Sequence, residues 1–328
     1  MSSSMSRHRF VLVFGFGFGP WVLGLLALLA SALMSCHRRD PAPTSTADST
    51  ASADPAVSAA SAALVVDRPY TLRVPGAFDR KTPAPLVVLL HGYGNDARGI
   101  EAYFGLRALV DTKGLLLAVP RGTVDARGDR FWNAGDACCN LFGAKVDDVA
   151  YLHAVLDDVA RKYAVDRKRV YVVGHSNGGF MAERLACEMA SRIAAIVDLA
   201  GAASSEIARC TTTEPVASLH VHGDLDSVIR TTGGRLFDQP SLPIYPSLAD
   251  TMGAWGTRNG CTGALAPTGK RLDLDGRIAG AETRVERFAS CARADVELWS
   301  VEGGSHSPAF LPAFAERIYD FLAAHPKP

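Results

Sequence analysis

The chain has 328 residues, and its 34 lysines and arginines balance 34 aspartates and glutamates, so the formal charge at pH 7 is zero. No basic patch stands out, which gives no footing to a nucleic-acid or acidic-polymer partner. Once the N-terminal segments described next are set aside, about 260 residues remain, a length that fits one large α/β domain.

Residues 7–36 read RHRFVLVFGFGFGPWVLGLLALLASALMSC. Arg7 and Arg9 form a basic start, a long apolar run follows, and the run closes on small residues and a cysteine. That pattern is a secretory signal, expected over residues 1–35. The close, LMSC at 33–36, resembles the bacterial lipoprotein box, which implies cleavage before Cys36 and lipid on that cysteine. The alternative is that residues 10–33 stay as a membrane anchor, since they are long enough to span. Both readings put the rest of the chain outside the cytoplasm, tied to a membrane only through its N-terminus. GFGFGP at 15–20 lacks the strand–turn–helix setting of a nucleotide-binding loop and is set aside. Residues 40–63 use only Ala, Ser, Thr, Pro and Asp apart from Val57. Such a composition can bury almost nothing, so 36–64 is expected to be a disordered tether, with an average span of about 25–30 Å.

The remainder, 65–328, alternates strand and helix patterns. Continuous apolar or alternating runs predict strands at 70–75, 85–92, 114–122, 169–174, 193–201, 217–223 and 296–304. Helical spacing predicts helices at 147–164, 177–190, 247–260 and 312–325. The expected fold is therefore α/β, a mostly parallel doubly wound sheet flanked by helices in a single catalytic domain. Its chemistry should lie at the carboxyl ends of the strands. Residues 231–292 contain the segments that shape the pocket, and their pattern does not yield a fold.

Apart from Cys36 there are six cysteines: Cys138, Cys139, Cys187, Cys210, Cys261 and Cys291. An even count in an exported domain suggests disulfides, and six cysteines allow 15 pairings. Cys187 with Cys210 and Cys261 with Cys291 are the expected pairs. Cys138 and Cys139 are adjacent and are not expected to pair with each other. There is no CxxC and no HExxH, so no metal site is expected.

The strand at 169–174 runs into GHSNG, residues 174–178. This is G-x-S-x-G between a buried strand and an amphipathic helix, the setting of a nucleophile elbow. Ser176 must stand at a sharp turn, and side chains at 174 and 178 would collide there. The alternative is that Ser176 merely caps the helix. A serine needs a positioned base, and in this architecture an acid and then a histidine follow it in the chain. The strand at 217–223 leads into GDLDS, offering Asp224 and Asp226, and the last strand leads into GGSHS, offering His306. Asp226 is preferred because it lies far enough past the strand to reach back to the histidine. The HGYG loop after the strand at 85–92 supplies one backbone donor for an oxyanion, at Tyr93, and the residue after the serine, Asn177, supplies the other. The His91 ring is expected to shape that loop. His175 is left between orienting the elbow and lining the pocket.

With these residues identified, the domain resembles the secreted polyhydroxybutyrate depolymerase-like and feruloyl esterase-like α/β hydrolases. The resemblance rests on PLVVLLHGYG, DRFWNAGDACC, RVYVVGHSNGGFMAERLACE, HVHGDLDSVI and ELWSVEGGSHS. It implies serine ester hydrolysis with Ser176, Asp226 and His306 as triad, and it places Trp132 and Asn133 near the substrate mouth. The implied substrates are feruloyl or acetyl esters of polysaccharide, or hydroxyalkanoate oligomers. No cofactor is needed, the partner is an ester, small or polymeric, and a monomer is expected. The competing readings are a peptidase of the same fold and a surface-tethered binding module with an idle triad.

Overall fold

The structure, a computed structural model, describes residues 55–204, 210 and 214–328. The expected signal at 1–35, Cys36 and most of the tether lie outside the described residues. The described residues belong to one compact unit.

Nine strands make the main sheet: β1 Thr71–Arg73, β2 Ala84–Leu90, β3 Leu116–Val119, β4 Val165–His175, β5 Ala195–Leu199, β6 Ala217–Gly223, β7 Ala266–Leu272, β8 Thr283–Arg287 and β9 Val296–Val301. Their order is β1-β3-β2-β4-β5-β6-β9-β8-β7. The six strands from β3 to β9 in that order run parallel, and β1, β8 and β7 add antiparallel edges. This is the mostly parallel, doubly wound sheet expected of an α/β hydrolase.

The sheet is apolar on both faces because each face carries a layer of helices. Along β2, Leu86, Val88 and Leu90 enter one core cluster while Val87 and Leu89 enter the other, the period-two alternation of a strand buried twice. The first face is covered by α4 Asp148–Lys162, α5 Asn177–Glu188 and α6 Leu248–Arg258. The second is covered by α2 Ala97–Phe104, the short α3 Leu109–Lys113 and α7 Ala313–Ala324. Local signals set the ends of several helices. Asp96 and Asp147 accept backbone N–H groups as N-caps, Ser247 and Asp250 close a capping box, and Gly105 ends α2 with φ of 68°.

Two expectations are corrected, and one segment that carried none gains its strands. Residues 55–64, read as the end of a disordered tether, belong to a helix, α1 Pro55–Asp67, which packs beside α4. The same alanine-rich composition that leaves little to bury has the highest helix propensity, and a proline stands at the first helical position. The segment 231–292 contains β7 and β8, which extend the sheet. Finally, Cys138 and Cys139 are joined to each other, and the peptide between them is cis, which draws their Cα atoms to 3.2 Å. The other two pairs are as expected, Cys187–Cys210 and Cys261–Cys291. Among the described residues no helix is long and apolar enough to cross a membrane.

Cys261 and Cys291 sit opposite each other in a two-stranded ribbon and close a loop of sequence separation 30. Removing that closure with Cys261→Ser and Cys291→Ser together should lower unfolding free energy by about 3–4 kcal/mol. Urea denaturation of the double variant checks this, and an unchanged midpoint contradicts it.

Candidate active site

Four loops meet at the carboxyl ends of parallel strands β2, β4, β6 and β9. The loop after β4 carries Ser176 at φ 56°, ψ −122°. A non-glycine residue in this region is strained and persists only where its surroundings hold it. Here the glycines on both sides do so. A Cβ at Gly174 would lie 2.0 Å from the carbonyl oxygen of Gly178, and a Cβ at Gly178 would lie 2.4 Å from that of Leu90. The collision anticipated for the elbow is thus with residue 178 for Gly174 and with the end of β2 for Gly178. The Ser176 N–H is bonded to the Leu199 carbonyl at 2.7 Å. Its side chain makes no capping hydrogen bond to α5, so the hydroxyl is not consumed as a helix cap.

Asp226 stands three residues past β6 and His306 five residues past β9. His306 Nδ1 is 2.7 Å from Asp226 Oδ2. The other oxygen, Oδ1, accepts the N–H groups of Val228 and Ile229 at 2.8 and 2.9 Å. Burial alone would raise this carboxyl, but bonds from His222, His306 and the Ile229 N–H outweigh it and hold Asp226 well below the usual carboxylate range. Asp224, the rejected neighbour, is exposed and accepts the Gly303 N–H at 2.6 Å, pinning the β6 loop to the β9 loop.

His175 ends β4, directly before Ser176. It is buried, and its Nε2–H donates to the His306 carbonyl at 3.0 Å. Burial, and then the proximity of His306, lower its pKa to about 4, so it is neutral in its structural bond. Tyr103 and Arg277 hold the same loop through the carbonyls of Pro308 and Ser307. The His306 backbone is therefore tethered from three sides.

Tyr93 lies in the loop after β2, and Asn177 opens α5. The His91 ring shapes that loop as expected. Its Nδ1 is 2.8 Å from the Gly92 carbonyl and its Nε2 accepts the Gly122 N–H at 2.9 Å. The side chain of Asn177 was not anticipated. Its Oδ1 accepts the Trp132 N–H at 2.7 Å and its Nδ2 donates to the Trp132 carbonyl at 2.9 Å, so it ties the 131–139 loop to the elbow. Trp132 itself is fully buried, with Nε1 donating to the His91 carbonyl. It packs in the core, and the expectation of a place at the substrate mouth is corrected. Asn133 is half-buried and borders a cleft of about 420 Å³ shared with Ala134, Gly135 and Arg184.

A strained serine after β4 and an acid-bound histidine after β9, both at the strand ends of such a sheet, are the layout of an α/β hydrolase. The model of the phospholipase/carboxylesterase family matches residues 77–242, and the chain belongs to that family. It is a serine carboxylic ester hydrolase. It is similar to feruloyl esterase D of Neurospora crassa, 28% identical over 74% of this chain and 74% of that protein. It is also similar to feruloyl esterase B of Piromyces equi, 28% identical over 73% of this chain and 42% of that protein. The provisionally named esterase NocK of Nocardia uniformis subsp. tsuyamanensis is 31% identical over 73% of this chain and 70% of its own. Among solved structures, an acetyl xylan esterase from Aspergillus awamori covers 77% of this chain and 93% of its own with a TM-score of 0.54 at 13% identity, a likeness of fold.

Replacing Gly174 with alanine places a methyl against backbone that cannot move aside. The variant should lose at least about 2 kcal/mol of stability and lose ester turnover. Wild-type stability and turnover in Gly174→Ala would contradict the elbow geometry.

Proposed function

We propose that the chain is an exported esterase acting on feruloyl or acetyl esters of polysaccharide through Ser176, His306 and Asp226. Ser176 attacks the ester carbonyl while His306 takes its proton. Asp226 fixes the ring and stabilises its charged form. The tetrahedral oxyanion is received by the backbone N–H groups of Tyr93 and Asn177, where one such donor is typically worth about a hundred- to a thousandfold. His306 returns the proton to the leaving alcohol, and water then cleaves the acyl-enzyme by the same route. The observation that carries this reading is the 2.7 Å bond between His306 and Asp226, and the Ser176 hydroxyl is not engaged in capping. Two relatives named as feruloyl esterases favour the substrate class. Export is favoured by three disulfides, a chemistry of oxidising compartments.

The test uses residues 37–328 produced in an oxidising compartment, with Ser176→Ala beside the wild type. Both are assayed on methyl ferulate, acetylated xylan, short-chain nitrophenyl esters and 3-hydroxybutyrate oligomers. The variant should fold and lose at least about three orders of magnitude in turnover. Retained turnover would sink the serine assignment, and 3-hydroxybutyrate oligomers as best substrate would overturn the polysaccharide-ester reading. Wild-type turnover should fall on the acid side, because a base already holding a proton cannot accept another. A flat profile down to about pH 4 contradicts His306 as that base.

A further inference from the structure

Behind Asp226 a chain of buried polar side chains runs away from solvent into the core under α5. His222 Nε2 lies 2.7 Å from the Ile229 carbonyl and 3.2 Å from Asp226 Oδ2. Both are acceptors, so Nε2 carries a hydrogen and, in a neutral ring, Nδ1 is bare. His220 Nε2 is 2.9 Å from that Nδ1 and must be its donor. In a neutral His220 the remaining nitrogen, Nδ1, is then also bare. It faces Asp198 Oδ2 at 3.3 Å, across the β5–β6 pairing in which Asp198 and His220 are direct partners.

Glu183, on α5, completes the end of this chain. Ligand-type atoms of Glu183, Asp198 and His220 lie within 4.8 Å of one another. One oxygen of each carboxylate is already held from outside. Trp255 Nε1 donates to Glu183 Oε2 at 2.5 Å, and the Gly201 N–H donates to Asp198 Oδ1 at 2.9 Å. The inward atoms, Glu183 Oε1, Asp198 Oδ2 and His220 Nδ1, are buried and have no conventional hydrogen-bond partner among the described residues. Two ionised carboxylates facing a bare ring nitrogen, with no hydrogen between them, would be a severe uncompensated cost in a dry interior. Two protons remove it. One on Glu183 Oε1 bonds to Asp198 Oδ2, and one bridges Asp198 Oδ2 and His220 Nδ1. Whichever partner holds the second proton, all three atoms are satisfied and the total charge is zero.

We propose that Glu183, Asp198 and His220 form a charge-neutral buried unit that retains two shared protons at neutral pH, and that His222 transmits its hydrogen-bond polarity to Asp226 as a positioning residue. This rests on the reading of Ser176, Asp226 and His306 as the triad. Burial pushes both carboxyls up and the His220 imidazole down, in line with a neutral unit. The other titratable and charged groups around the chain are Asp226 and His306 at its outer end, His175 beside His306, and Arg258 of α6 on the Glu183 side. The Arg258 guanidinium is directed to the carbonyls of Ala186 and Glu214.

The test compares wild type, Glu183→Gln, His222→Leu, His222→Gln and Ser176→Ala on nitrophenyl acetate from about pH 5 to 10, with elemental analysis of the purified wild type. Loss of a proton from the unit at high pH should make wild-type turnover decline there; a glutamine mimics a protonated Glu183, so Glu183→Gln should keep turnover at pH 7 within about threefold and lack that decline. His222→Leu should lower kcat by about 10- to 100-fold with KM within about twofold, and His222→Gln, which restores a donor, should recover most of it. A folded state that binds more protons than the unfolded chain loses stability as pH rises. The denaturation midpoint of the wild type should therefore fall more steeply with pH than that of Glu183→Gln. An alkaline limb and a pH–stability slope unchanged in Glu183→Gln would overturn the shared protons, and wild-type kcat in His222→Leu would overturn the positioning role. Stoichiometric metal in the purified protein would also overturn the proposal, because a cation would then stand where the protons are placed. Equal turnover in Ser176→Ala and wild type would instead defeat the triad reading, while the stability comparison still decides on the protons.

Discussion

The closest approach in the molecule that the chemistry depends on is between β4, the start of α5 and the end of β2. The Gly178 position lies against the Leu90 and His91 carbonyls, and the Gly174 position lies against Gly178. No side chain fits at either glycine, and the chain must turn within three residues. That packing fixes Ser176 at positive φ and leaves its hydroxyl clear of the helix it precedes. It also sets the start of α5 against the loop that carries Tyr93.

The surrounding loops are positioned by strand ends and then locked by polar contacts. Asp224 ties the β6 loop to the β9 loop, His175 and Tyr103 hold the His306 segment, and Asn177 ties the 131–139 loop to the elbow. Each lock uses a backbone group of the segment it holds. The candidate acid is fixed in the same way, with two N–H donors on one oxygen and two histidines on the other. A carboxylate with this many donors stays ionised and keeps its orientation, which is what orienting an imidazole requires.

The parallel centre of the fold was legible because β2 is wholly apolar and β5, β6, β9 and the second half of β4 are rich in apolar residues, and the candidate site residues follow directly after four of these five strands. The edge was not. Six of the seven residues of β7 are exposed, so APTGKRL shows neither the alternation nor the apolar content that marks a strand. In α1 the composition was read for what it cannot bury, and its alanines decided the conformation instead. Trp132 sits in a loop motif, where an aromatic suggests a substrate surface, and only packing reveals that it is enclosed. The inner chain of Glu183, Asp198, His220 and His222 did leave a trace. Charged residues within runs such as IVDLAG are rarely fully buried unless paired, and an aspartate in the middle of a predicted core strand asks for its partner.

In the proposed mechanism Ser176 is the nucleophile, and His306, oriented by Asp226, activates it. The most direct measurement is intact-mass and peptide-mapping analysis after exposure to an aryl fluorophosphonate, on the wild type and on His306→Ala. One adduct is expected, on Ser176, formed rapidly in the wild type and slowed by orders of magnitude in the variant. An adduct on another residue, or equal labelling rates in the two proteins, would contradict it.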